Sequence, residues 1–315
     1  MDKSIPDVKE NIASLLQTAR DCLKKGDLDK AKSEIEKALS IDFNESQVTN
    51  ALKYTNFWIE RKIRFQNVAG HYERGIYLFK QWKSFLLFSN KFHAEDDLTV
   101  YAIKYWVFNQ SLYHFEEILE SGTDDPELLI KIGLCHKNLG DYCRALEYLE
   151  SAMQNRSEDA ELMAEIADCY AFINEVRASK IFFREAFFVD PQSIDLYSLE
   201  SLLVKKLISR VKALGFDEKL LKEWIPIYGV LYGVFNVKRE LKALELGKLK
   251  QSINTLEHQY EEDPDSREML IPKLINKYFW LIDYYVSISD SKDRIEDVLK
   301  KINKLNPSVY ELYSN

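Results

Sequence analysis

Residues 126–193 read PELLIKIGLCHKNLGDYCRALEYLESAMQNRSED followed by AELMAEIADCYAFINEVRASKIFFREAFFVDPQS, two copies of one pattern laid end to end. At a shift of 34 residues Ile132 falls on Ile166, Gly133 on Ala167 and Cys135 on Cys169. At the same shift Gly140 falls on Asn174, Leu149 on Phe183 and Ala152 on Ala186. A fixed period of this length marks stacked helical hairpins. Each copy reads as two amphipathic helices around a turn, Leu139-Gly140-Asp141 in the first and Ile173-Asn174-Glu175 in the second. Neither hairpin can bury its apolar face alone, so neighbours must supply the cover.

The rest of the chain fits that frame. At 315 residues it exceeds one ordinary globular core, a limit that stacked repeats escape because each packs only on its neighbours. Apolar residues at 46% and aromatics at 13% argue against disorder over most of the length. Ten Gly and seven Pro are few, as suits helices joined by short turns. A net charge of −8 disfavours nucleic acid as a partner, because a phosphate binder needs a basic face. It also gives no general attraction to anionic lipid. The start, MDKSIPDVKENIASLL, carries acids early and no long apolar run, so no secretory signal is expected. No apolar segment of spanning length occurs, so no membrane span is expected either. Four cysteines without an export signal point to free thiols in a reducing compartment, and the cytoplasm is the expected location.

Residues 12–45 form a first repeat. Leu15, Ala19 and Cys22 share one face, Gly26-Asp27 turns the chain, and Ala31, Ile35 and Ala38 carry the inward stripe of the second helix. The spacing from Gly26 to Gly140 is not a whole number of periods. With the surplus placed at 46–55 and about 90–91, residues 56–89 and 92–125 become degenerate repeats. The first turns at Gly70 and packs Gly75, Phe79 and Trp82 inward. The second buries Leu98, Ala102, Ser111, Phe115 and Ile118. The breaker-free ALKYTNFWIERK lengthens a helix around Asn50–Lys62. Gly122-Thr123-Asp124-Asp125-Pro126 is a stop and restart. After Asp190-Pro191 a helix is expected from Ser193 or Asp195 to about Leu214, with a break at Gly215. Residues 194–315 read as a helical C-terminal part with drifted repeats at 233–266 and 276–309 and a short capping helix over 308–315.

Residues 12–45 and 126–193 resemble the tetratricopeptide-repeat (TPR) family; elsewhere the likeness is weak. The resemblance implies an all-α superhelical solenoid over 1–193 and TPR-like hairpins beyond it. It places small residues at helix crossings: Ala19, Ala31 and Ala38, then Gly133, Ala145 and Ala152, then Ala167, Ser179 and Ala186. It also implies a non-enzymatic scaffold that holds a protein or peptide in a concave groove lined by first helices. At the groove positions this chain has Leu16 and Arg20, Ile130 and Leu134, then Ala164 and Asp168. The Lys/Asn clamp with which some members hold a chaperone tail is absent.

Two charged strips qualify as partner-binding. Glu161, Glu165 and Asp168 at i, i+4 and i+7 share a helical face and suit a basic peptide; the ordinary reading is a solvated acidic face. Arg20, Arg61, Arg64, Lys131 and Lys137 could make the earlier half of the groove basic, the ordinary reading being surface charge. The alternative function is a self-assembling subunit, a homo-oligomer joined through C-terminal aromatic helices. Gly229 and Gly233 in the apolar run Trp224–Phe235, with Trp280 and Tyr284 in Tyr278–Tyr285, would form its seam. A buried central helix is the plainer reading of the first run, and the second run poses the same choice. Cys135, His136, Cys143 and Cys169 lack paired metal-site spacing, so no metal and no cofactor are expected. No GxSxG, HExxH, P-loop or GxGxxG occurs, and His71, His93, His114 and His258 have no local nucleophile, so no catalytic residue is assigned. A helical enzyme or small-molecule sensor is the remaining alternative.

Overall fold

With apolar residues at helical spacing and few breakers, the backbone polar groups are satisfied within helices. A computed structural model describes residues 5–92, 97–122, 125–237, 241–289 and 292–314. His93, Thr123, Asp124 and Asn315 lie outside the described residues. Among those described there are fifteen α-helices and no strand, an all-α helical-repeat fold. The chain divides into two compact units, residues 1–152 and 153–315.

The N-terminal unit holds α1 (Ile5–Lys24), α2 (Leu28–Ile41), α3 (Ser46–Gln66), α4 (His71–Ser89), α5 (Asp97–Glu120), α6 (Pro126–Leu139) and all but the last residue of α7 (Tyr142–Met153). Consecutive helices from α1 to α6 pack on one another. The inward stripe of α2, Leu28, Ala31, Ile35 and Ala38, is fully buried. Each of the larger of these side chains contributes roughly 1.5–3 kcal/mol by leaving water. Gly140 ends α6 in the left-handed region at φ +87°, and its amide bonds back to Lys137 O at 3.0 Å. Gly133 lies where α6 crosses α7; a Cβ there would meet Leu149 Cγ at 2.7 Å. Gly122 closes α5 at φ +91° and Pro126 opens α6 at its first turn.

Two features of this unit differ from the sequence reading. Residues 92–125 contain one long helix, α5, where a hairpin was expected, because nothing between Leu98 and Glu120 breaks it. On that helix Thr99, Ala102, Ile103, Trp106, Val107, Phe108, Ser111, His114 and Phe115 face inward, which turns Leu98 outward. In addition, α5 packs back on α1, past the helices between them in sequence. Trp106 presses on the α1–α2 turn, its Nε1 2.5 Å from where a Cβ on Gly26 would sit.

The C-terminal unit holds α8 (Ala160–Phe172), α9 (Val176–Val189), α10 (Leu202–Lys212), α11 (Glu218–Leu231), α12 (Ala243–Glu262), a 3-10 turn (Pro264–Ser266), α13 (Arg267–Ser287), α14 (Lys292–Leu305) and α15 (Pro307–Ser314). The α8–α9 turn uses Asn174 at φ +65°, the residue that the repeat aligns with Gly140. At the centre, α11 packs on α9, α10, α13 and α15, and α13 packs on α11, α12 and α14. Helix α10 begins at Leu202 and not near Ser193, because Asp190 and Asp195 each accept an amide two residues on and hold the chain in turns. Residues 233–266 carry one helix, α12, and the 3-10 turn, so no hairpin forms between Gly247 and Leu256. The run Trp224–Phe235 stays helical only to Leu231; Phe235 then folds back and is 1% exposed.

Candidate functional site

The basic residues expected to line a groove are held mostly within the N-terminal unit. Arg20 on α1 is 9% exposed, and its Nε donates to Thr99 Oγ1 of α5 at 3.3 Å. Leu16, one turn away, is also buried, so α5 covers the face of α1 where a ligand would lie. Arg61 donates from Nη1 to Phe57 O at 2.9 Å and from Nε to Gln81 Oε1 at 2.8 Å. Its guanidinium carbon lies 3.3 Å from the Phe57 ring centroid. Burial lowers its pKa, although the neighbouring Tyr77 and Glu60 oppose that shift. Lys131 pairs with Glu127 at 2.8 Å, Lys137 is buried, and Arg64 is exposed.

The acidic strip on α8 is used in the same way. Asp168 is 0% exposed, and its carboxylate accepts Glu200 N at 2.8 Å and Ser201 N at 2.9 Å. Ser201 is the N-cap of α10, so Asp168 fixes the entry to that helix by accepting the amides of the cap and of the residue before it, and its negative charge lies at the helix N-terminus. Glu165, also buried, accepts the Ser198 hydroxyl. Two of the three carboxylates therefore anchor residues 198–201, a loop within the same unit. Glu161 is exposed.

A different surface is presented by α5. Leu98, Tyr101, Tyr105 and Tyr113 are 60%, 50%, 39% and 50% exposed and follow one side of the helix at three-, four- and eight-residue steps. The row is about 22 Å long at the helical rise. The Lys24 ammonium lies 5.3 Å from the Tyr101 ring, at the edge of the row. Periodicity could have found it: the row is the complement of the inward set that starts at Thr99 and Ala102. It was missed because Leu98 was placed inside a hairpin that does not form.

The family model for the tetratricopeptide repeat matches residues 22–45 and 126–159, which are the α1–α2 turn with α2 and the α6–α7 hairpin. The chain carries tetratricopeptide repeats. No curated protein matches it. The TPR positions that require small side chains are all buried: Ala19, Ala31 and Ala38 in the first repeat, Gly133, Ala145 and Ala152 in the second. TPR modules in general bind proteins; here Arg20 and Asp168, which the sequence reading expected to line a groove, are engaged by α5 and the 200–201 segment.

The residues considered for self-association are placed within the C-terminal unit. Gly229 is buried against Phe235, whose Cδ2 would be 2.2 Å from a Cβ there. Gly233 has φ +69° in the turn after α11. Trp280 is buried, with its ring centroid 4.2 Å from that of Phe188. Tyr284 is half-buried, its ring 5.9 Å from Tyr285. Among the described residues no group of three or more metal-type side chains converges, and no helix is long and apolar enough to cross a membrane. Cys22, Cys135, Cys143 and Cys169 are free thiols, and burial raises the Cys135 pKa well above its ordinary value.

Proposed function

We propose that this TPR protein is a non-enzymatic, cytoplasmic scaffold that holds another protein against the exposed row of α5. The observation that carries the reading is the alignment of Leu98, Tyr101, Tyr105 and Tyr113 on one helix of a repeat-containing unit. Tyrosine offers a large rigid surface and a hydroxyl at small entropic cost, which is why it recurs at interface centres. Isolated exposed tyrosines need no explanation, whereas three with a leucine along one side of a single helix offer aligned aromatic anchors, with Asn109 set between Tyr105 and Tyr113. Peptide binding in the first-helix groove draws support only from Arg64 and Glu161, the two expected charges that are exposed.

The test is recovery of partners from native extract by the tagged full-length chain, with Tyr101→Ser/Tyr105→Ser as the comparison. Both tyrosines face solvent, so the variant keeps its helix content by circular dichroism. Proteins retained by the wild type and lost from the variant are the expected result. Equal recovery by both chains overturns the assignment to α5, and loss through Arg64→Glu instead would return the site to the groove.

A further inference from the structure

Helix α10, LLVKKLISRVK, contains four cations and no carboxylate, in a chain whose net charge is −8. Its Lys206 and Arg210, one turn apart, stand on the rim of a cleft of about 610 Å³ in the C-terminal unit. Lys180 of α9 completes the rim, held there by donating to Gly233 O at 3.3 Å and Asn236 Oδ1 at 3.2 Å. Leu203, Leu207 and Val234 supply apolar lining, and the Arg210 guanidinium carbon lies 5.4 Å from the Tyr232 ring centroid. Among the described residues no acidic side chain lines the cleft, and Lys206 and Arg210 form no ion pair. Cations gathered on one rim make a local positive potential that favours an anionic ligand.

We infer that this cleft is a second docking site, which takes an acidic, leucine-rich segment of a partner protein. It goes beyond the α5 reading and uses different residues. The chemistry selects the class of ligand. Carboxylates at helical spacing reach Lys180, Lys206 and Arg210 on the rim, while apolar side chains between them cover Leu203, Leu207 and Val234. A nucleic acid would leave that apolar lining uncovered and meet the negative charge of the whole chain. A lipid surface is flat, whereas these cations surround a concavity.

Fluorescence anisotropy on the full chain tests this, with a labelled synthetic peptide of alternating Glu-Glu and Leu-Leu pairs as probe. Saturable binding that weakens with added salt is expected. The variant Lys206→Glu/Arg210→Glu, both positions being exposed, should lose affinity by about tenfold or more with unchanged circular dichroism. The variant Lys206→Arg should bind as the wild type does. Three results would overturn the inference: no saturable binding, equal affinity in the charge-reversed variant, or equal affinity for the peptide with Gln in place of Glu. Binding of anionic vesicles in place of the peptide, lost in the same variant, would also overturn it and reassign the cleft to membrane contact. Substitution of Tyr101 and Tyr105 leaves peptide affinity unchanged, so the two sites succeed or fail separately.

Discussion

Arg184 on α9 and Asp283 on α13 form an ion pair inside the C-terminal unit, their side chains 5% and 10% exposed. The same guanidinium donates to Val237 O at 2.9 Å and lies 4.9 Å from the Trp280 ring centroid, so it joins two helices and the chain after α11. Removing one partner leaves a buried charge uncompensated. Asp283→Ala should therefore destabilise the unit by about 3–5 kcal/mol, whereas the apolar double replacement Arg184→Met/Asp283→Leu should cost far less. Urea unfolding of the three chains measures the difference; equal midpoints for Asp283→Ala and wild type would show that the pair is not held in solution.

Asp168 tests the link between α8 and α10. Asp168→Ala removes the acceptor of Glu200 N and Ser201 N, leaving amides at a helix start without their partner. The expected cost is about 1–3 kcal/mol, with faster hydrogen exchange at those two amides. Unchanged protection there would remove the anchoring role.

The α6–α7 hairpin is the place to test the repeat register. Ala152 is 0% exposed, so Ala152→Leu overpacks it by about 1–3 kcal/mol and lowers the melting temperature. Gly140 has φ +87° with open space where a Cβ would go, so Gly140→Ala costs only the left-handed strain, about 1–2 kcal/mol. An unchanged melting temperature in Ala152→Leu would contradict the register.

His114 makes the N-terminal unit sensitive to acid. It is buried on α5 with its Nδ1 3.2 Å from Nδ1 of His71, one ring donating and the other accepting. Burial lowers the His114 pKa below its ordinary 6.5, helped by His71 and Arg74 and opposed by Glu117. Below about 6.5 the unfolded chain binds the proton more readily, so stability is complete above that pH and falls as pH drops toward the depressed folded value. His136, stacked on Tyr148, shifts in the same direction, again mainly through burial. The melting temperature should fall between about pH 7.5 and 5.5, and His114→Gln should flatten that slope. An identical slope in the variant would place the sensitivity elsewhere.

How far the sequence could be read varies by residue. The Gly26 and Gly140 turns were visible because a positive φ favours glycine, and Asn174 because it aligns with Gly140. The buried stripe of α2 was visible because it follows from helical spacing alone. The fate of Arg20 and Asp168 was not, because nothing local says that α5 or residues 200–201 will cover them.

By itself, then, the sequence determined the helices, most of their turns and the small residues at their crossings, because these depend on neighbours within about one period. Only the tertiary structure decided which face of each helix stays open. That choice depends on contacts between residues far apart in sequence, such as Arg20 with Thr99 and Arg184 with Asp283. Contacts of this kind engage Arg20 and Asp168 within the fold, while the tyrosines of α5 and Lys206 and Arg210 of α10 face solvent.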